Sequence, residues 1–346
     1  MIEFYLIKVS FLATVSFVIT ILWTPVLTHF LYKYKVGKSI RDSSSAPIFA
    51  KLHSKKAGTP TMGGILIWGT TLFLILFFFY MGKFFGGKWE AMNFLSRPET
   101  FLPLGVLIAS ALVGWMDDFV EVSKRGYKGG GLRMWHRVLL YAIIAAVGAW
   151  WFYFKLDWTT LHVPFVGDFD IGLWFIPFFI LVIVSTAFSV NETDGLDGLA
   201  GGVVLMAFAS YGAIAFALGR YNLATFCAVI MGALIAFLWF NINPSRFFMG
   251  DTGSMPLGIT LGVVAILTNY ALLLPIIALV LVLESLSVII QVSSKKIRKK
   301  KVFISAPIHH HLEALGWSEP KIVMRFWLIA GVSSVVGMMM FLLDRF

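Results

Sequence analysis

Long apolar runs separated by short polar segments dominate the chain. The runs are continuously apolar, whereas the strands of a membrane barrel would alternate apolar and polar residues. Runs of roughly 20 apolar residues are typical of membrane-spanning helices. We identify ten, at residues 4–32, 62–82, 101–118, 135–154, 172–190, 198–218, 222–240, 253–268, 271–294 and 323–343. The pattern predicts an all-α polytopic membrane protein with about ten transmembrane helices, forming one integral membrane domain over residues 1–346.

The division between the eighth and ninth runs depends on Thr268, Asn269 and Tyr270. Without a break there, residues 253–294 would form one helix of about 63 Å, at a rise of about 1.5 Å per residue. That length is roughly twice the thickness of the hydrocarbon core of a bilayer. We therefore predict that the chain turns at these three residues.

Composition supports a membrane protein and bears on its partners. Hydrophobic residues make up 59% of the chain and charged residues 13%, whereas a soluble domain has about 25% charged residues. A formal net charge of +10 would be compatible with nucleic-acid binding in a soluble protein. Here the basic residues fall in a few loops, which is typical of membrane topology signals and contact with membrane lipid. We expect no nucleic-acid partner.

Lysine and arginine are unequally distributed between alternate loops, and the odd-numbered loops hold most of them. The richest are 33–61, 117–134 and 295–322, and the poorer loops between them are 83–100, 155–171 and 219–221. Loops rich in these residues stay on the cytoplasmic side of a membrane. The distribution predicts cytoplasmic odd-numbered loops and places both termini outside.

Three carboxylates lie between two apolar runs in the segment 191–198, Asn-Glu-Thr-Asp-Gly-Leu-Asp-Gly. Charge at a membrane face is costly and usually marks a site for ions or substrate. Asn191, Asp194 and Asp197 are spaced so that a helix would bring them onto one face. The simpler structural explanation is a helix cap followed by a polar turn.

Two further acidic motifs lie in loops predicted to be cytoplasmic. Asp117 and Asp118 end the third apolar run, and such a pair suits Mg²⁺ binding or general-base catalysis, or is simply a solvated helix end. Asp251 lies between glycines at the start of the eighth run. This position suits a metal-phosphate site, but Asp251 or Thr252 would equally serve as a helix cap. Spacing alone does not decide between these alternatives.

Three other polar motifs remain. Residues 58–64, Gly-Thr-Pro-Thr-Met-Gly-Gly, suit phosphate binding at a helix N-terminus or an ordinary turn. The histidine triplet 309–311 suits a metal, a phosphate or an anionic sugar, or is a solvated loop. Glu284 and Gln291, seven residues apart in the ninth run, share a face. An uncompensated glutamate there would be costly, so we predict that a polar partner or an aqueous groove faces it.

Taken together, the motifs resemble one family. Those that carry the resemblance are PTMGG (60–64), DDF (117–119), NxTDGLDGLA (191–200), FMGDTGS (248–254) and APIHHHLE (306–313). They occur in the order found in the phospho-N-acetylmuramoyl-pentapeptide transferase family of bacterial peptidoglycan synthesis, and they cover nearly the whole chain. PTMGG and HHHLE are the specific motifs. The aspartate motifs are shared with the wider superfamily of polyprenyl-phosphate N-acetylhexosamine-1-phosphate transferases.

The resemblance implies a ten-helix enzyme of the bacterial inner (cytoplasmic) membrane, with its active site on the cytoplasmic face. It implies transfer of phospho-MurNAc-pentapeptide from UDP-MurNAc-pentapeptide to undecaprenyl phosphate, giving lipid I and UMP, with Mg²⁺ as cofactor. Breaking a pyrophosphate requires a cation that neutralises the developing charge. The sequence does not decide between direct transfer and a phosphoryl-aspartate. Direct attack is the simpler route, since the acceptor is already an anionic nucleophile.

The resemblance also implies roles for individual residues. Asp251 matches the Mg²⁺ carboxylate, Asp117 matches the residue that activates or positions the polyprenyl phosphate, and Asp118 would support the metal or that phosphate. The implied substrate-binding residues are Lys56, Thr61, Arg137, Asn191, Asp194, Asp197, Asn241, Phe248, Gln291, His309, His310 and His311. The aromatic ring of Phe248 suits stacking on uracil. Arg137 departs from the lysine of many relatives but keeps the charge. A homodimer is compatible with the sequence, which does not determine the oligomeric state.

Three other functions are weighed against this one. A sister transferase acting on UDP-GlcNAc shares the aspartate motifs, but PTMGG and the histidine triplet argue against it. An ion-coupled transporter would also carry membrane carboxylates, although here the acids cluster at one face. A scaffold that has lost catalysis is opposed by the complete set of carboxylates.

Overall fold

The computed structural model describes most of the chain, namely residues 2–34, 36–37, 56, 58–96, 99–123, 125 and 131–346. Parts of the basic loops 33–61 and 117–134, with several of the lysines that support the topology prediction, lie outside the described residues. The helices are α1 (Ile2–Lys33), α2 (Ile65–Phe85), α3 (Gly87–Met92), α4 (Phe101–Val122), α5 (Met134–Lys155), α6 (Phe175–Thr193), α7 (Leu199–Ala217), α8 (Tyr221–Asn241), α9 (Asp251–Leu267), α10 (Leu274–Ile277), α11 (Leu279–Ile297), α12 (Ile308–Ala314) and α13 (Glu319–Asp344). A β-hairpin joins α5 to α6, with strands β1 (Thr160–Val163) and β2 (Gly167–Asp170).

The helices confirm an all-α polytopic membrane protein. In the part of the chain that the structure describes, eight are long and apolar enough to cross a membrane, namely α1, α2, α4, α5, α6, α7, α8 and α13. The bent segment formed by residues 271–277 and α11 gives a ninth if it is counted as one span. The remaining apolar run forms α9, which has only 17 residues. The count of ten spans and the outside location of the termini stay predictions.

The predicted break between the eighth and ninth runs is confirmed. Helix α9 ends at Leu267, Asn269 has a left-handed φ of 63°, and a short 3-10 turn begins at Ala271. A second interruption at Ala278 was not predicted, and there the axis turns by 83° before α11. It is hidden in the sequence because apolar residues continue without change through the bend.

Helix α9 lies at the centre of the bundle, and all 17 of its residues are buried. It packs against α4 and α6. Glycines allow these helices to approach closely, because a Cβ at Gly114 of α4 would overlap the carbonyl of Asp251, and a Cβ at Gly258 would overlap the backbone of Ala187. The packing therefore brings the start of α9 level with the last turns of α4 and α6, which carry the acidic and amide side chains.

The β-hairpin is attached to the C-terminal end of α13, at the opposite end of the bundle from the start of α9. His162 of β1 lies between two carboxylates, with its Nδ1 2.7 Å from Asp168 Oδ1 and its Nε2 2.6 Å from Asp344 Oδ2. Tyr270 donates a hydrogen bond of 2.9 Å to Asp344 Oδ2. The hairpin, the 268–270 turn and the end of α13 are thus joined by one polar cluster.

This polar cluster makes stability depend on pH. Burial lowers the pKa of His162, but hydrogen bonds to Asp344 and Asp168 outweigh it and the net shift is upward. Tyr270, whose pKa burial and Asp344 raise to about 12, stays protonated at neutral pH. A group whose pKa is raised in the folded state stabilises the fold below its unfolded pKa of about 6.5, and this stabilisation is lost as pH rises through the folded-state pKa.

We expect the wild-type thermal midpoint to fall between pH 6 and pH 9 by more than that of His162→Gln, measured by tryptophan fluorescence in detergent. Equal pH dependence in the two proteins would contradict this.

Candidate active site

The segments 60–64 and 248–254 are paired through their backbones. Gly63 N donates to Phe248 O at 2.8 Å, Gly64 N donates to Met249 O at 2.9 Å, and Phe248 N donates to Pro60 O at 2.8 Å. A Cβ at Gly64 would overlap the backbone of Gly253. The glycines of PTMGG therefore serve the close approach of two chain segments, and two of their amides are already used inside the protein.

Thr61 lies at the junction of this pairing with the acidic residues. It is fully buried, and among the described residues nothing hydrogen bonds to its hydroxyl. A Cβ at Gly250 would overlap both Thr61 Oγ1 and Asp118 Oδ2, so both side chains lie against the same side of that glycine. The structure thus places Thr61 beside the start of α9.

Asp118 caps the central helix. Its two carboxylate oxygens accept hydrogen bonds from the backbone N–H groups of Asp251 and Thr252, each at 3.0 Å. Neither side chain that the sequence offered as a cap fills this role, because no side chain at the start of α9 caps its own helix. A cap supplied by α4 leaves the carboxylate of Asp251 available for other contacts.

Side chains from four helices meet at that carboxylate. Arg137 of α5 lies between two acids, with its Nε 2.6 Å from Asp117 Oδ2 and its Nη2 2.9 Å from Asp251 Oδ2. Asn191 of α6 donates to Asp251 Oδ1 at 2.5 Å. Leu132 N donates to Asp117 Oδ1 at 2.5 Å. We call Asp117, Arg137, Asn191 and Asp251 the acidic cluster.

The donor set of the acidic cluster suits a divalent cation completed by substrate. Mg²⁺ prefers oxygen ligands, and proteins usually hold it through one or two carboxylates together with phosphates and water. Within the described ranges no three His, Cys, Asp or Glu side chains are close enough to form a metal cage. Asp117 and Asp251 would supply carboxylate oxygens to such an ion without forming a closed structural site, while Asn191 directs its NH₂ group to Asp251 and its oxygen to Arg137.

The prediction that Asn191, Asp194 and Asp197 share one face of a helix is wrong. Helix α6 ends at Thr193, Asp194 follows in a turn, and Asp197 lies just before α7. Gly198, with a φ of 82°, stands at the start of that helix in a conformation that favours glycine. As a result Asn191 joins the acidic cluster, Asp194 is half-buried in the turn, and Asp197 points to a different group of residues.

That second group is built around Lys56. Its Nζ lies 2.7 Å from Asp197 Oδ1 and 2.5 Å from Glu319 Oε1. Asn243 Nδ2 donates to Asp197 Oδ2 at 3.1 Å. The ammonium also lies 5.8 Å from the centre of the Phe248 ring. The predicted residues Lys56, Asp197 and Phe248 are therefore brought together, and we call Lys56, Asp197, Asn243 and Glu319 the lysine cluster.

Glu319 and Asn243 of this cluster were missed by the sequence analysis. An acid in the first turn of a helix is ordinary, because it interacts favourably with the helix dipole, so Glu319 gave no signal. Asn243 lies in a polar stretch, Asn-Ile-Asn-Pro, between two apolar runs, and that placement was the available signal.

Asn241 supports the site through the backbone. Its Oδ1 accepts a hydrogen bond from Gly198 N at 3.0 Å, and its Nδ2 donates to Phe247 O at 2.8 Å. Trp327 of α13 donates to Gly198 O at 3.1 Å. Asn241 is buried and its amide joins the turn before α7 to the segment that carries Phe248.

His309 is the polar partner that the sequence predicted for Glu284. Its Nδ1 lies 2.9 Å from Glu284 Oε2, and both side chains are fully buried. Burial lowers the pKa of His309, but the charge of Glu284 and its hydrogen bond raise it, and the net shift is upward. A Cβ at Gly195 would overlap the imidazole at Nε2. His309 is therefore packed directly against the turn that contains Asp194.

The other two histidines have separate partners. His310 Nδ1 lies 2.6 Å from Glu313 Oε2, and His311 Nδ1 accepts a hydrogen bond of 3.2 Å from Ile304 N. The three rings therefore face three different environments, as expected for a short helix that spreads consecutive side chains around its axis.

Gln291 is used to hold the chain between α11 and α12. Its Oε1 accepts hydrogen bonds from Val302 N at 2.9 Å and Phe303 N at 3.0 Å, and its Nε2 donates to Phe303 O at 2.8 Å. All three bonds are to backbone groups just before the histidine helix. The contacts of Gln291 thus position that helix.

Comparison with known families matches two parts of the chain. Residues 100–269 match a family described as glycosyl transferase family 4, and this range contains the whole acidic cluster. Residues 56–67 match signature 1 of phospho-N-acetylmuramoyl-pentapeptide-transferase, which contains Lys56 and Thr61. Together with the helical bundle, these matches define the chain as a polytopic membrane transferase.

Curated relatives narrow this class. A protein of Chloroflexus aggregans is 39% identical over 94% of this chain and 87% of its own length, and one of Clostridium perfringens is 37% identical over 94% and 96%. A Geobacillus relative is 39% identical over 93% and 94%. All three carry the name phospho-N-acetylmuramoyl-pentapeptide-transferase. The chain belongs to the phospho-N-acetylmuramoyl-pentapeptide transferase family.

Proposed function

We propose that this chain transfers phospho-MurNAc-pentapeptide from UDP-MurNAc-pentapeptide to undecaprenyl phosphate, forming lipid I and UMP with Mg²⁺. The observation that carries the proposal is the convergence of Asp117, Arg137, Asn191 and Asp251 at the start of a fully buried helix. Charged groups gathered at the end of a membrane bundle are expensive and indicate a functional site. The names of the relatives support the choice of sugar nucleotide and lipid carrier.

We further propose that the site faces the cytoplasm across the bacterial inner membrane. Helices α4, α6, α8 and α11 end, and α5, α7, α9 and α13 begin, at the same face of the bundle. The basic stretch 295–301 lies at this face too, since it begins in the last turn of α11 and continues beyond the end of that helix. Clusters of lysine and arginine are retained on the cytoplasmic side, which supports this orientation.

The charges of the acidic cluster suit phosphoryl transfer. Two ionised carboxylates would repel an anionic substrate, but Arg137 compensates one of them, so the cluster carries one formal negative charge when both are ionised. Asp251 and Asp117 would hold Mg²⁺, which when bound neutralises charge on the pyrophosphate as it breaks. Asp118 contributes by fixing the start of α9, and therefore the position of Asp251.

We propose direct transfer because the acceptor is already an anionic nucleophile. An oxygen of undecaprenyl phosphate forms a bond to the sugar-bearing phosphorus, and the bond from that phosphorus to the bridging oxygen breaks, so UMP leaves with the electron pair. The acceptor is anionic and needs no proton removed, so Arg137 would attract it and limit repulsion, while Asp117, which holds Arg137 in place, would help to position it. Lys56, Asp197 and Phe248 would bind the uridine end of the donor.

Release of UMP by the purified protein tests the proposal. The protein is incubated with undecaprenyl phosphate and either UDP-MurNAc-pentapeptide or UDP-GlcNAc, each with Mg²⁺ or with EDTA. We expect metal-dependent release from the muramyl substrate alone. Release from UDP-GlcNAc would instead assign the chain to the sister reaction. No release from either substrate, in a folded sample, would favour transport or a scaffold role.

A further inference from the structure

Glu319, the first residue of α13, uses both of its carboxylate oxygens as acceptors. Its Oε1 lies 2.5 Å from Lys56 Nζ and accepts a hydrogen bond of 2.7 Å from Asp197 N. Its Oε2 accepts a hydrogen bond of 3.0 Å from Asn243 Nδ2. The side chain is only 12% exposed. Both oxygens are thus used as acceptors, for three donors.

Two of these three donors are shared with a second carboxylate. Asp197 Oδ1 lies 2.7 Å from Lys56 Nζ, and Asp197 Oδ2 accepts from Asn243 Nδ2 at 3.1 Å and from Ser245 N at 3.2 Å. Lys56 and Asn243 therefore each bridge Glu319 and Asp197, which closes a ring of four side chains. Charge-assisted hydrogen bonds are the strong ones, so each member restricts the positions of the others.

Helix α13 also contacts the turn before α7, which contains Asp197, through a second residue. Trp327, two turns after Glu319 and on the same face, donates to Gly198 O at 3.1 Å. A Cβ at Gly202 would overlap the indole of Trp327. Glu319 and Trp327 together fix the segment that contains Asp197, which indicates that α13 determines the shape of this part of the site.

The ring of side chains presents complementary groups beside an aromatic surface. An ammonium has three N–H donors, and among the described residues two of them are directed to Asp197 and Glu319, which leaves one for a ligand. The Phe248 ring lies 5.8 Å from this ammonium, which the buried Asp197 carboxylate holds in place. A flat heterocycle with carbonyl groups at its edge, such as uracil, matches this surface.

We infer that Glu319 is a positioning residue for the nucleotide end of the donor substrate, acting through Lys56 and Asp197. It does not touch the reacting phosphates, which belong to the acidic cluster. Its carboxylate holds the ammonium and the Asp197 backbone where the uridine ring is received. The inference rests on the proposed function, because it specifies which residue arranges the nucleotide pocket of that site.

Glu319→Gln tests the inference with almost no change in size. A carboxylate accepts at both oxygens, whereas the amide accepts at one end and donates at the other. Its NH₂ group must face either Asn243 or Lys56, which are themselves donors. We expect KM for the sugar nucleotide to rise about tenfold with kcat within about threefold. The dissociation constant of UDP alone, from calorimetry, should rise by about the same factor. Glu319→Asp, which keeps both acceptors, should recover part of the loss.

A double-mutant cycle separates positioning from a general structural role. If Glu319 acts through Lys56, then Glu319→Gln adds little to KM in a Lys56→Met background, since interacting residues are not additive. Glu90→Gln, the same substitution at an exposed position of α3, is the matched control and leaves KM and UDP binding unchanged. Asn243→Ser removes a shared donor from the same ring and replaces Glu319→Gln if that variant does not fold.

The outcomes distinguish this inference from the proposed function. Unchanged UDP binding in a folded Glu319→Gln protein would overturn the inference, even if the wild-type protein carries out the proposed transfer. Additive losses in the Lys56→Met background, or a lower kcat at constant KM, would overturn it as well. If the wild type binds UDP but transfers nothing, the proposed reaction fails, while weaker UDP binding by Glu319→Gln still supports the inference.

Discussion

Replacing Asp251 by alanine is expected to abolish transfer and to leave the protein folded. We expect UMP release to fall at least about 1,000-fold, because the variant loses a main source of charge stabilisation at the reacting phosphate. The carboxylate meets Arg137 and Asn191 at 2.9 Å and 2.5 Å, and it does not cap its own helix. The helix cap comes from Asp118 and remains in the variant. Arg137 also keeps its ion pair with Asp117.

Activity and stability are measured on the same detergent sample. UMP release is followed with saturating Mg²⁺, and the thermal midpoint is followed by tryptophan fluorescence. Asp117→Asn is the companion variant, and we expect it also to fold and to lose transfer. Wild-type-like turnover by either protein would show that the acidic cluster does not have the role assigned to it.

Replacing Asp118 by alanine lowers both activity and stability. Two backbone N–H groups at the start of α9 lose their acceptors inside the bundle. Each buried donor left unsatisfied costs about 1–3 kcal/mol. We expect a clearly lower thermal midpoint, and transfer reduced by about 100-fold because Asp251 is no longer held in place.

Asp118→Asn provides the intermediate case, since its amide keeps one acceptor oxygen for one of the two N–H groups. Its thermal midpoint should lie between those of the wild type and Asp118→Ala. A normal thermal midpoint in Asp118→Ala, together with a complete loss of transfer, would instead mean that Asp118 contacts substrate or metal directly.

Neighbouring residues in the sequence thus have different roles in the structure. Asp117 and Asp118 are equivalent as a pair of acids at the end of an apolar run, and the sequence offered metal binding, base catalysis or solvation for both. Their side chains leave α4 in different directions, since consecutive residues are about 100° apart around a helix. One meets Arg137 and the other meets the start of α9. Which acid does which depends on the helices packed beside them.

The 191–198 segment shows where local pattern fails. Spacing of three residues predicted one helical face, but the helix ends at Thr193, so Asn191 joins the acidic cluster and Asp197 joins the lysine cluster. Gly195 and Gly198 are visible in the sequence, but the elements that pack against them are not. One of them does pack against His309. Their effect on the helix end depends on contacts with α12 and α13, which lie more than 100 residues away in the chain.

By itself, the sequence determined the all-α membrane architecture, the break after Leu267 and the family. The first two follow because bilayer thickness limits the length of any apolar run, and the third because the order of motifs is a property of the chain alone. Only the tertiary structure decided that α9 is the buried centre, that Asp118 caps it, and that Glu319 belongs beside Lys56. Each of these facts depends on side chains from separate helices, and their distances are set by how the helices pack, which no local pattern of residues specifies.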